Sequence, residues 1–206
     1  MRIWLSLIIV LLASPAWPAA DFSDFTPVDP HKIPSLTNLQ VTATGKGTFT
    51  EARTIPALEK PILSNGYFIY RQPQGLLWIS EQPRPSSTLV TETGVYELQH
   101  DGSYRIIPAG EQIGALLKAT IFNNWTPLSR YFEMFFKGDR QSWCVGLKAK
   151  SSQVQSVLEA VKICGDRHPK EVTLFQARGA STIIDLTFIS DQLSEQDALK
   201  LDAATQ

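Results

Sequence analysis

Hydrophobic positions along most of this 206-residue chain alternate with polar ones over short stretches, as in β-strands that bury one face. Gly, Pro, Asn-Gly and Asp-Gly separate the stretches and are typical of turns. We predict strands over residues 47–54, 66–72, 76–81, 87–92, 94–99, 103–107, 142–149, 159–164, 171–178 and 181–189. The pattern indicates a mainly β protein built around one antiparallel sheet.

A helical spacing interrupts this alternation once. Residues 110–122 carry apolar side chains three and four positions apart, which predicts a helix with one apolar face. Residues 126–136 begin with Thr126-Pro127, a typical helix start, and predict a second helix. Two helices inserted into a series of strands favour a single curved antiparallel sheet, an incomplete β-barrel, with the helices covering its concave face.

Less regular segments surround this region. Residues 21–44 hold several prolines and predict an irregular N-terminal arm, with a short helix near 35–40. A helical turn is expected near 152–158. Residues 191–206 form a polar C-terminal tail with a short helical signature. The half-barrel domain is therefore expected over residues 45–190.

The first 20 residues have the order of a secretory signal peptide. Arg2 precedes an apolar stretch over residues 3–13, small residues follow, and the chain becomes polar at Asp21. The apolar stretch is shorter than the roughly 20 residues of a membrane span, which favours a cleaved peptide over an uncleaved anchor. Cleavage after either Ala16 or Ala20 fits the small residues, and the mature chain is expected outside the cytoplasm.

Net charge and cysteine content limit the classes of partner and site that the sequence allows. The net charge of −1 argues against nucleic acid as a partner, because nucleic-acid binding requires a basic surface. Cys144 and Cys164 both lie in the exported part, and an oxidising compartment favours a disulfide between them. The three histidines show no ligand-like spacing with either cysteine, so we expect no metal site.

Motifs of enzyme chemistry are missing from the sequence. It contains no GxSxG elbow, no Walker loop, no HExxH and no GxGxxG. We therefore expect a protein that is not an enzyme and that carries no cofactor.

Residues 47–99 carry an ordered set of motifs. A strand of the form G-x-F-x-E-x-R is followed by S-x-G-x-F, by R-x-P-x-x-L-x-W, and after a proline-rich break by LV-x-x-x-x-G-V-Y. Their order and spacing resemble the LolA-like family of periplasmic outer-membrane lipoprotein carriers. Residues 125–147 and the final strand pair, 171–189, are also similar to a branch of that family.

The resemblance implies an incomplete barrel closed by helices around an apolar cavity, located in the periplasm. Carriers of this family receive lipoprotein acyl chains from an inner-membrane releasing complex and deliver them to an outer-membrane acceptor. A soluble carrier must hide the chain, because each exposed methylene costs about 0.8 kcal/mol. We accordingly expect a monomer that binds lipoprotein acyl chains or another lipid.

Two positions depart from the family pattern. The family places an arginine directly before the proline of its third motif, whereas here Gln72 precedes Pro73 and the arginine is Arg71. Arg71 is the candidate latch of the helical cover, although a shift of one residue reverses the face of a strand. Residues 29–43 lack the amphipathic opening helix of the family, so the cover is expected mainly from 110–136.

Candidate lipid-binding residues are the aromatic and aliphatic side chains of the matched strands and helices. They are Phe49, Phe68, Tyr70, Leu76, Trp78, Tyr96, Leu116, Leu117, Ile121, Phe132 and Phe135. The same residues would also serve as ordinary core. Two other functions stay open: a secreted enzyme acting on a lipid-like substrate, recognised by titratable groups converging in the cavity, and a structural envelope subunit, recognised by exposed apolar patches.

Overall fold

The computed structural model describes residues 20–99, 101–107 and 110–205. Within them the chain forms one sheet of twelve antiparallel strands that does not close on itself. The strands are β1 Thr26–Pro27, β2 Thr44–Thr54, β3 Ile62–Arg71, β4 Gly75–Gln82, β5 Ser86–Val90, β6 Val95–Leu98, β7 Tyr104–Ile106, β8 Phe132–Gly138, β9 Trp143–Ala149, β10 Leu158–Gly165, β11 Pro169–Gln176 and β12 Ser181–Ser190. Their order in the sheet is β1-β8-β9-β10-β11-β12-β2-β3-β4-β5-β6-β7. The predicted open antiparallel sheet is therefore confirmed.

Four α-helices accompany the sheet. They are α1 Ile33–Leu36, α2 Gly110–Phe122, α3 Ser152–Gln155 and α4 Glu195–Ala204, with short 3₁₀ turns at Pro30–Lys32, Thr126–Arg130 and Ala177–Gly179. The predicted helix over 110–122 and the helical turn near 152–158 are confirmed. The predicted signal peptide lies outside the described residues, apart from Ala20.

Around β3 and β4 the sheet buries both of its faces, and the alternation of side chains along each strand decides which residues lie on each face. On the face covered by α2, here called the inner face, Phe68 and Tyr70 join a large apolar core. On the opposite, outer face, the intervening Ile69 joins a smaller cluster with Leu77. Residues 66–70 of β3 are therefore largely apolar because neither face of the strand is open to water there, whereas Ile62 and Leu63 at its start are exposed.

Helix α4 covers the outer face. Its Leu201 and Ala204 pack against the cluster of Ile69, Leu77 and Leu89. The helix begins at Ser194, whose hydroxyl accepts a hydrogen bond from the backbone N–H of Asp197 at 3.1 Å. The segment predicted as a polar tail thus contributes a helix that shields one side of the sheet.

The predicted helix over residues 126–136 is wrong beyond its first turn. Thr126–Arg130 forms a 3₁₀ turn with Pro127 near its start, and the chain then enters strand β8. Phe132 lies opposite Ala149 of β9, and the strand continues in register from there. The segment satisfies both the helical and the strand period, and its pairing with the next strand, β9, across a short turn selects the strand.

The predicted disulfide is confirmed. Cys144 and Cys164 lie directly opposite each other on the adjacent strands β9 and β10, with Cα atoms 4.1 Å apart. This bond joins two neighbouring strands on the outer face, away from α2.

The N-terminal arm packs onto the sheet. Strand β1 pairs with β8, and Phe22 stacks on Phe135 with ring centroids 5.8 Å apart. Helix α1 begins two residues before the predicted position, and its Ile33 is fully buried in the inner core. The arm therefore closes the edge of the sheet at β8.

Candidate functional site

An apolar cavity of about 260 Å³ lies between α2 and the inner face of the sheet. Its lining consists almost entirely of aliphatic side chains, one tryptophan and a few polar groups. These residues are Glu51, Trp78, Thr88, Leu116, Leu117, Thr120, Ile121, Val157, Leu158, Val172, Leu174, Gln176, Ile184 and Leu186. The cavity is close in size to the smaller ligand pockets of proteins, which start at roughly 300 Å³.

Helical and strand periodicities together build this lining. Leu117 and Ile121 are four residues apart and project from the same face of α2. Alternate residues of β11, such as Val172 and Leu174, and of β12, such as Ile184, reach the cavity from the sheet. The cavity exists because α2 spans the curved sheet without filling the space beneath it.

Two of the four polar residues of the lining form side-chain hydrogen bonds within the protein. The hydroxyl of Thr120 donates to the carbonyl oxygen of Leu116 at 2.8 Å, one helical turn earlier. The Oε1 of Gln176 accepts from the hydroxyl of Thr182 at 3.3 Å. Glu51 is the ionisable residue of the lining in the described chain. A single carboxylate supplies neither the nucleophile–base pair nor the acid–base pair that hydrolytic sites use.

Four of the predicted lipid-binding residues line the cavity. Trp78 reaches it from β4, and Leu116, Leu117 and Ile121 reach it from α2. Whether they bind lipid stays a prediction.

Five other predicted residues are buried in the core beneath the cavity. They are Phe49, Phe68, Tyr70, Leu76 and Phe132. Phe49 stacks on Trp78 with ring centroids 4.1 Å apart, and Phe68 stacks on the same indole with ring centroids 5.6 Å apart. These aromatic rings support the cavity floor without forming its surface.

Tyr96 and Phe135 lie on the outer face, away from the cavity, and their role in lipid binding stays a prediction. Tyr96 packs against the apolar cluster beneath α4, because its neighbour Val95 faces inward. Phe135 stacks on Phe22, because β8 is a strand and residues 132 and 135 of a strand face opposite sides.

Arg71 belongs to the outer face, like Ile69 two residues before it. Its Nη1 donates to Oε1 of Gln74 at 3.0 Å and to Oδ1 of Asp202 in α4 at 2.9 Å. Hydrogen bonds from Gln74 and Arg71 hold the pKa of Asp202 below its ordinary value. The side chain therefore ties α4 to the sheet, on the side of the sheet opposite α2.

A smaller polar pocket lies at another edge of the sheet. The hydroxyl groups of Tyr70 and Thr42 are 2.7 Å apart, and burial raises the pKa of Tyr70. His168 borders the same pocket, stacks on Phe188 at 4.7 Å, and has its pKa lowered by burial. These groups belong to a region separate from the apolar cavity.

Sequence reasoning missed the cavity residues of β11 and β12. Val172, Leu174, Ile184 and Leu186 alternate along strands that were predicted correctly. The alternation carries the signal, but Ile183 and Ile184 are adjacent and both apolar, which hides the face that points inward.

The described residues contain no cluster of three or more His, Cys, Asp or Glu side chains able to hold a metal ion. Among the helices described, none has the length and apolar character needed to cross a membrane.

Comparison with known proteins yields similarity of structure. No protein-family model and no curated protein matches the sequence. A LolA superfamily protein from Nitrosomonas europaea is similar with a TM-score of 0.49 and 9% identity, over 82% of this chain and 96% of that one.

Two further solved structures are more distant. A DUF1329 family protein from Desulfovibrio piger has a TM-score of 0.43 and 9% identity, over 80% of this chain and 92% of that one. LprF from Mycobacterium bovis has a TM-score of 0.37 and 12% identity, over 82% and 98%. At these identities and TM-scores, what this chain binds must be argued from its own cavity.

Proposed function

We propose that this protein is a periplasmic carrier that binds an acyl chain of a lipoprotein, or of another lipid, in the cavity beneath α2. The observation that carries the proposal is the apolar lining of that cavity. Aliphatic residues of α2, β11 and β12 and the indole of Trp78 form most of its wall. Such a surface offers hydrocarbon a favourable exchange of water for apolar contact and offers little to a polar molecule.

The energy available from this cavity suits reversible binding. Burying ten methylenes contributes about 8 kcal/mol at roughly 0.8 kcal/mol each. Association and ordering of the chain offset several kcal/mol of that gain. Net affinities near or weaker than about 1 μM follow, since 1 μM corresponds to about 8 kcal/mol. A carrier requires affinities of this kind, because it must release its cargo to an acceptor.

Helix α2 is the proposed cover. It rests on the sheet through buried Leu116, Ala119 and Ile121. It ends at Phe122, and Asn123 follows with a positive φ of 53°. Outward movement of α2 would open the cavity, and its return would exclude water from the bound chain.

Transport is the further part of the proposal. Export through the signal peptide of residues 1–20 would bring the half-barrel of residues 45–190 to the periplasm. The monomer would load at an inner-membrane releasing complex and unload at an outer-membrane acceptor. The motif resemblance of residues 47–99 supports this route.

The test is lipid binding by the exported protein. Native mass spectrometry on protein purified from periplasm without detergent should show co-purifying acyl lipid. Leu117→Trp should block the cavity and abolish this mass, because the indole would occupy the space of the chain. Leu199→Trp is the matched control, since Leu199 is 63% exposed on α4.

The lipid-binding test has one outcome that supports the carrier and one that contradicts it. Loss of lipid in the Leu117 variant, with lipid retained in the Leu199 variant, supports the carrier. An apo mass for the wild type, together with no binding of added fatty acid, would contradict it.

A further inference from the structure

The face of α2 that points away from the cavity borders a second, polar depression. A groove of about 710 Å³ lies between α2, the turn joining β5 to β6, and the 3₁₀ turn Thr126–Arg130. A neighbouring depression of about 560 Å³ shares Thr91, Glu92, Lys118 and Asn124 with it. The two together form one polar groove along α2, and Arg71, the candidate latch, borders its second part.

The groove and the apolar cavity use different sides of the helix. Gly114, Ala115 and Lys118 line the groove, whereas Leu117 and Ile121 line the cavity. The cavity is lined by four α2 residues, Leu116, Leu117, Thr120 and Ile121, and at 100° per residue their mean direction lies about 135° from that of the groove residues. A ligand in the groove therefore does not compete with an acyl chain for space.

Cationic and amide groups in the groove are free to bind a ligand. Lys118, Arg130 and Asn124 line it, and in the described part of the chain their side chains make no hydrogen bond or ion pair. Glu92, which lines the groove as well, is equally unpaired there. Among the described residues of the groove, two unpaired cations face one unpaired carboxylate, so the groove favours an anion.

Its remaining wall is rich in hydroxyl groups and internally braced. The hydroxyls of Thr91 and Thr93 are 2.8 Å apart, and Thr93 and Tyr96 are 3.1 Å apart. Gly114 lets α2 approach β6 closely, because a Cβ there would lie 2.9 Å from Cγ2 of Val95. This close approach places Lys118, one turn later, over the groove.

We propose that this groove binds a phosphate group carried on a polyol, such as a glycerophosphate or sugar-phosphate head group. A phosphate offers only acceptors, and Lys118, Arg130 and the Asn124 amide supply matching donors. The hydroxyl wall and Glu92 match the hydroxyls of a polyol. The volume of about 710 Å³ lies within the roughly 300–1,000 Å³ of ligand pockets and far exceeds the size of a bare phosphate ion.

Calorimetric titration of the full exported chain tests this site. The probes are glycerol 3-phosphate, inorganic phosphate and glycerol. Lys118→Gln and Arg130→Gln should each weaken glycerol 3-phosphate binding about tenfold, the effect expected for one charge-assisted hydrogen bond. Lys148→Gln is the matched control, because Lys148 is an exposed lysine of β9 outside the groove.

Each outcome decides the proposal. Saturable glycerol 3-phosphate binding that weakens only in the two groove variants supports it. Equal affinity for inorganic phosphate overturns the polyol, and equal weakening by Lys148→Gln overturns the site in favour of general charge attraction. No binding of any probe also overturns it.

The carrier proposal is tested separately by fatty-acid binding, which the groove variants should leave unchanged. Failure of fatty-acid binding in a protein that still binds glycerol 3-phosphate would refute the carrier and leave the groove in place.

Discussion

Lengthening a saturated fatty acid by single methylenes measures the cavity directly. Each methylene buried contributes about 0.8 kcal/mol, which raises the affinity about fourfold. The cavity volume is about 260 Å³. A water-sized group takes up about 30 Å³, so the cavity has room for roughly nine such groups. We expect a steep rise in affinity up to about nine or ten carbons and a plateau beyond.

Titration calorimetry with acids of increasing length gives this curve, and a negative heat-capacity change should accompany the rising part. Leu186→Ala should move the plateau to longer chains, because Leu186 lines the cavity and its truncation adds space. Leu77→Ala is the control. Leu77 is also a buried leucine, but it packs on the outer face beneath α4.

Three results would refute this reasoning. Affinity that does not depend on chain length would place the acid outside the cavity. A plateau that shifts equally in the Leu77 variant would show that general loosening of the fold, and not cavity space, limits the chain. A fourfold rise that continued to sixteen carbons would exclude a fixed cavity and require movement of α2.

Three further predictions concern the fold around the site. Leu201→Ala should lower the free energy of unfolding by about 3 kcal/mol in a urea titration, because Leu201 is fully buried beneath α4, whereas Leu199→Ala at an exposed position should change it by less than about 0.5 kcal/mol. Burial lowers the pKa of His168 in the folded state, so the unfolded chain takes up a proton first as the pH falls below about 6.5 and stability decreases; His168→Phe should remove that slope, and an unchanged slope would assign it to other groups. Replacing Cys144 and Cys164 together by alanine should lower the unfolding free energy by about 3 kcal/mol, and fatty-acid binding that survives in the folded variant would confirm that the disulfide is structural.

The local pattern of apolar and polar residues was sufficient to predict most strands and α2. The alternation through Phe68, Ile69 and Tyr70 marks a strand, and the helical spacing of residues 110–122 marks the helix at its observed bounds. These elements were predictable because each buries one face, and the apolar residues of that face recur at a fixed spacing within a short segment. The disulfide was predictable for another reason: two cysteines allow one intramolecular pairing.

Contacts between elements decided which secondary structure and which face of a strand a residue adopts, where the local pattern left these ambiguous. Residues 126–136 satisfy a helical period and a strand period, and pairing with β9 selected the strand. Arg71 and Tyr96 occupy strands whose two faces are both covered, so their sequence neighbours did not show which side each would take. The covering of the outer face by α4 is itself a contact between distant parts of the chain.

The sequence by itself determined an open antiparallel β protein with one long helix and a disulfide. The tertiary structure alone decided that α2 leaves a cavity beneath it, that β11 and β12 line this cavity, and that a polar groove runs along the other side of the helix. The physical reason is that secondary structure follows from periodicity within a segment. A cavity or groove is the space between segments, and its shape depends on how far apart the folded chain holds them.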